Sequence, residues 1–173
     1  MGIVELLKGK NNYSKVNPLE FHEFGNNCRI YNCNFGLDKK LISIGNNVEI
    51  HEGTIFINYS PIAEHYNCVM ENGNDSELRY LGPIHIKDNV FIGKNVLIYP
   101  GVTVGENSLI FDGTVIDKDI PANVVVNGNP ASVIDDIFSW YKKLKSTNSE
   151  YPWKGKRLPH DRIVKEREKY FFG

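Results

Sequence analysis

Between residues 86 and 120 an aliphatic side chain returns at every sixth position, as Ile86, Ile92, Ile98, Val104, Ile110 and Ile116. A second series runs four residues behind it: Val90, Val96, Val102, Ser108, Thr114 and Ile120. Six residues make about one and two-thirds turns of an α-helix, which would scatter the series around the helix. A half-buried strand would alternate with period two. Period six, in short runs broken by Gly and Asn, predicts a parallel β-helix, a solenoid of internal repeats. With three hexads to a coil, Ile86 stacks on Val104, Ile92 on Ile110 and Ile98 on Ile116.

Upstream the pattern is poorer but present. Ile44 and Ile50 have Val48 and Thr54 beside them, and Phe24 and Ile30 have Cys28. Two residues too many separate Ile30 from Ile44, which predicts a bulge or corner insertion near Gly36 to Lys40. From Ser60 to Gly82 the hexads vanish into a polar, turn-rich stretch. It is expected to be a long loop leaving the solenoid, and loops of that length are usually functional.

The ends differ from the repeat. Ile3, Val4 and Leu7 form a short apolar stripe suited to a helix capping the first coil. After Pro121 a strand and turn are expected, then a helix with Val133, Ile134, Ile137, Phe138 and Tyr141 on one face. A last helix takes Asp161 as its N-cap and ends in aromatics. The expected chain is mainly β: a cap over 1–23, a β-helix over 24–134 with its loop at about 60–82, and a helical extension over 135–173.

Composition sets limits on partners. The 173 residues suffice for one domain with a core. Twenty basic residues against 21 acidic ones give no mark of a nucleic-acid or acidic-lipid binder. Cys28, Cys33 and Cys68 lack zinc-like spacing and read as free thiols in a reducing compartment. No stretch reads as a membrane span or signal peptide, so a soluble, cytoplasmic protein without a metal is expected.

Gly82 to Ile134, a repeat closed by "KDIP" and "GNPA", resembles the second half of hexapeptide-repeat acetyltransferases. These are left-handed β-helix enzymes that acetylate sugars, antibiotics and serine from acetyl-CoA. The hand of the coil is implied by the resemblance alone, since general crossover rules favour the right hand. The resemblance further implies a homotrimer, with each active site in the groove between neighbouring copies beside the long loop. It implies a histidine general base near the start of that loop, a residue whose unperturbed pKa of about 6.5 suits proton removal. His65 lies early in the loop and takes the role. A gapless match would put Asn58 there instead and leave the site silent. Asn58, Tyr59, Glu64 and His85 are the candidates for contact with the acceptor, Glu64 also for orienting the His65 ring.

The positions matching the donor site are Gly93, Lys94, Asp112, Gly113, Asp117 and Lys118. Small residues there let the pantetheine arm approach backbone, and Lys118 matches a lysine near the nucleotide phosphates. Relatives often carry arginines after the "GNPA" turn. This chain has Ser132 and Asp135 there, leaving Lys142 and Lys143 as other cations. The tail mixes Tyr151, Trp153, Tyr170, Phe171 and Phe172 with cations, either as a saccharide platform or as a cap with its aromatics inside. The favoured activity is acetyl transfer to a hydroxyl, less so an amine, of a sugar or cell-envelope polysaccharide precursor. Two alternatives stand beside it. One is a silent trimeric scaffold or binding module. The other is a zinc hydratase on the same scaffold, which needs close histidine pairs that His51, His65 and His85 do not supply.

Overall fold

The computed structural model describes residues 14–70 and 80–173, so the apolar stripe at Ile3, Val4 and Leu7 lies outside the described residues. The chain up to Ile137 forms one compact unit and residues 138–173 form a second.

In the first unit, short strands fall into three parallel sheets. The first sheet holds β1 (Glu23–Phe24), β3 (Ile42–Ile44), β8 (Ile84–Ile86) and β11 (Thr103–Val104). The second holds β2 (Arg29–Ile30), β4 (Glu49–Ile50), β9 (Phe91–Ile92), β12 (Leu109–Ile110) and β14 (Val124–Asn127). The third holds β5 (Ile55–Phe56), β10 (Leu97–Ile98) and β13 (Val115–Ile116). The chain visits the sheets in that rotation, laying a strand on each sheet in turn. Ile86 pairs with Val104, Ile92 with Ile110 and Ile98 with Ile116, the stacking the hexads predict.

The first aliphatic series and the second are both buried. Each fully buried isoleucine stabilises the column by roughly 1.5–3 kcal/mol. Where the second series turns polar, the hydroxyls are satisfied. Ser108 Oγ donates to the Pro121 carbonyl at 2.9 Å and Thr114 Oγ1 to that of Phe111 at 2.8 Å.

One corner of each circuit turns on an asparagine. Asn27, Asn47, Asn89, Asn107 and Asn123 all adopt φ between 56 and 63°. Asparagine enters this left-handed region more readily than other side-chain-bearing residues. Their amides form a ladder, Asn27 donating to Asn47 at 2.8 Å, Asn47 to Asn89 at 3.0 Å, Asn89 to Asn107 and Asn107 to Asn123 at 2.9 Å. This ladder is the physical reason for the paired asparagines at 26–27 and 46–47.

The lowest described circuit is longer: Phe24 pairs with Ile44 and Ile30 with Ile50, a spacing of twenty. The extra residues are taken up at Gly36, with φ of 68°, and in a 3-10 turn at Lys39–Leu41, where the spacing placed an insertion. Phe35 fills the wider circuit, its ring centroid 5.0 Å from those of Phe21 and Phe56.

Three expectations are corrected. The excursion after Asn58 is not all loop. Its stem is an antiparallel pair, β6 (Tyr59–Ser60) with β7 (Tyr80–Leu81), and Ile62–Met70 is a helix, α1. Pro61 precedes that helix, and its carbonyl accepts the His65 amide at 3.0 Å, closing the first turn. Second, Val133 and Ile134 lie on β15 (Ser132–Asp136), antiparallel to β14, rather than on a helix. β-Branched residues suit a strand, and β14 offers an open edge to pair with. Helix α2 therefore spans Ile137–Glu150, and the unit boundary falls after Ile137 rather than at 134. Third, α3 (His160–Phe172) starts two residues early, with Pro159 rather than Asp161 at the cap position. Asp161 falls in its first turn, where a negative charge still complements the helix dipole.

Candidate active site

The predicted site residues are divided between two edges of the three-sheet column. The edge between the third and first sheets carries the excursion. Asn58 ends the strand region after β5, and Asp117 and Lys118 follow β13 two circuits on, in register with it. His65 lies exposed on α1, with no hydrogen-bond partner for its ring among the described residues. Glu64 and Tyr59 beside it are half-buried, and Asp117 and Lys118 are exposed.

Asn58 does not belong with them. It is fully buried, and its amide donates to the carbonyls of Phe35 at 3.0 Å and Asp38 at 2.6 Å. Its Oδ1 accepts the Leu37 amide at 3.2 Å. The side chain pins the two-residue insertion of the circuit beneath, and all of its polar atoms are engaged there rather than turned toward solvent.

Gly93, Lys94, Asp112 and Gly113 occupy the other edge, between the second and third sheets. The Gly113 amide donates to the Lys94 carbonyl at 2.7 Å, and the Asn95 amide below it to that of Glu52 at 3.1 Å. Asp112 Oδ1 accepts the Lys94 amide at 2.7 Å, directly against Gly93. The same arrangement recurs between Gly45 and Asp88, where Oδ1 accepts the Asn46 amide at 2.7 Å. A glycine facing an aspartate is therefore a closure of the winding, used also at a corner where no donor contact is expected. Lys94 Nζ meets Glu52 Oε1 at 2.7 Å. That bond holds the Glu52 carboxyl below its ordinary range and the Lys94 ammonium above its own. Gly113 has φ of 71° and open space around it, so its backbone is within reach of a ligand.

His85 sits on β8 between Ser43 and Thr103, half-buried on the outer side of the first sheet. It lies on the face of the column rather than with either group.

One constellation escaped the sequence. His51 follows inward Ile50 and lies half-buried on the second sheet, with Nε2 3.0 Å from Glu49 Oε1. Its ring stacks on Tyr31 at 4.5 Å and lies 5.0 Å from Phe91. Glu49 in turn binds Arg29, and Glu52 Oε2 is 3.7 Å from His51 Nδ1. The prior signal was that Arg29, Tyr31, Glu49, His51 and Phe91 each neighbour an inward isoleucine and so face out. Among the described residues no three His, Cys, Asp or Glu side chains are grouped to hold a metal ion. No helix among them is long and apolar enough to cross a membrane.

Residues 83–118 match the family model described as bacterial transferase hexapeptide, six repeats. Protein CapG of Staphylococcus aureus is 40% identical over 152 residues, covering 86% of this chain and 84% of that one. The chain belongs to the hexapeptide-repeat transferase family. Within the family, the galactoside O-acetyltransferase of Escherichia coli K12 is 39% identical over 129 residues, 70% of this chain and 60% of its own length. A hexapeptide-repeat acetyltransferase from Vibrio cholerae superposes with a TM-score of 0.51 at 22% identity, over 77% of this chain and 88% of the other. That last likeness is one of fold.

Proposed function

We propose that this transferase moves an acetyl group from acetyl-CoA to a hydroxyl of a saccharide, with His65 as general base. The observation that carries the reading is the similarity over 70% of the chain to a galactoside O-acetyltransferase. The geometry supports it: an exposed imidazole stands on a helix leaving the column, on the edge that also presents Lys118. His65 takes the proton of the acceptor hydroxyl as that oxygen forms its bond to the thioester carbonyl. The carbon–sulfur bond then breaks and coenzyme A leaves as its thiol, so no covalent intermediate on the protein is needed. Glu64 and Tyr59 flank the acceptor, and Lys118 meets the donor's phosphates as a mobile point charge. Gly113 and Asp117 line the pantetheine path. Lys94, engaged by Glu52, and Gly93 with Asp112, engaged in closure, contribute shape there rather than charge.

The column is a left-handed parallel β-helix, and three copies assemble around it. The donor residues are split between two edges of one chain, Asp117 and Lys118 beside the excursion that carries His65 and Gly113 on the other edge, an arrangement that a neighbouring copy completes. Acetyl-CoA should raise the thermal midpoint of the wild-type protein, and free thiol should appear only when a saccharide is added. Thermal protection without thiol release from any saccharide in a broad panel would contradict the reading.

A further inference from the structure

The near-neutral charge of the whole chain conceals a division between its two units. Residues 138–173 hold ten of the 20 lysines and arginines but only four of the 21 acidic residues. The second unit thus carries six positive charges in excess, and the first seven negative ones. Neither α2 nor α3 has a buried residue. Helices of 14 and 13 residues are marginal by themselves and need an apolar face covered. Instead Tyr141 and Leu144 on α2, and Val164 and Phe171 on α3, are exposed, and Phe172 at the end is 89% exposed. Tyr151 and Trp153 stack at 4.9 Å beside the last turn of α3, with the Arg167 guanidinium 5.8 Å from the Trp153 ring.

We infer that residues 138–173 form a peripheral membrane-binding module that takes an anionic lipid surface. Basic helices with exposed aromatic and aliphatic side chains lie in the headgroup region of a bilayer. There the rings and aliphatic groups enter the acyl boundary and the cations meet lipid phosphates. Long lysine and arginine stems reach both zones at once. Single-stranded nucleic acid would use the cations and the aromatics, but it has no use for exposed Leu144 and Val164. A second copy of the same unit would set like charge against like. The consequence for function, delivery of the transferase to lipid-carried saccharides, rests on the acetyl-transfer reading; the membrane contact does not.

The test is flotation of the full chain with vesicles of phosphatidylglycerol and phosphatidylcholine, against phosphatidylcholine alone and a labelled single-stranded oligonucleotide. Binding to the anionic vesicles should be at least about tenfold stronger than to the neutral ones, and should weaken in high salt. Lys145, Lys154, Lys156 and Arg157 changed together to Gln should lose that preference. Leu144→Ser with Val164→Ser should loosen binding while circular dichroism shows the helices retained. Equal binding to both vesicle types, no binding to either, or binding to the oligonucleotide without the vesicles would overturn the inference.

Discussion

A Cβ placed on Gly93 would lie 2.3 Å from Asp112 Oδ1 and 2.7 Å from the Asp112 amide nitrogen. Two successive circuits close on each other at this point, and backbone as well as side chain occupies the space a methyl would need. Gly93→Ala should cost about 1–3 kcal/mol, read as a lower urea midpoint at unchanged slope. Gly113→Ala meets no atom within 4 Å and pays only for its φ of 71°, roughly 1–2 kcal/mol. A Gly93→Ala protein as stable as wild type would show that the circuits are not so tightly closed.

Asn58 holds three backbone groups of the circuit beneath it. Asn58→Ala strands the buried Phe35 carbonyl, at about 1–3 kcal/mol, and takes a partner from two partly buried groups that solvent can partly replace. The unfolding midpoint should fall steeply, while turnover per folded molecule stays within a few-fold of wild type. Loss of turnover with stability intact would return Asn58 to the site.

The Glu52–Lys94 pair gives a pH signature. The hydrogen bond to Lys94 depresses the Glu52 carboxyl, so its contribution to stability is present above the unfolded value and fades as pH falls through the folded one. The same bond raises Lys94, whose contribution is complete below its unfolded value and fades as pH climbs through the folded one. The pair therefore acts between those limits, and its exposure to solvent keeps it weak. Lys94→Met should lower the thermal midpoint slightly at neutral pH and low salt. The difference should vanish below the carboxylate range and in high salt. A difference that persists in acid would have another cause.

The column was legible because its cause is local and repetitive. Ile92 and Ile110 had to stack once three hexads closed a circuit, and the surplus between Ile30 and Ile44 had to appear as an insertion. What defeated the sequence depended on partners remote in the chain. Ile62, Tyr66, Val69 and Met70 have helical spacing, but the polar residues among them read as loop, and those four side chains are in fact exposed. Val133 and Ile134 suit helix or strand equally in isolation, and the open edge of β14 decides. The role of Asn58 depends on an insertion about twenty residues upstream, which nothing in its own hexad announces. The charge division was available in the sequence but was averaged away by a whole-chain count.

The central claim is acetyl transfer with His65 as base, and acceptor-dependent thiol release by wild type and His65→Ala, measured alongside acetyl-CoA affinity, tests it most directly. Thiol release should fall about a hundred- to ten-thousandfold in the variant, with donor affinity unchanged, because the base acts on the acceptor. Release at the wild-type rate from His65→Ala would contradict the account.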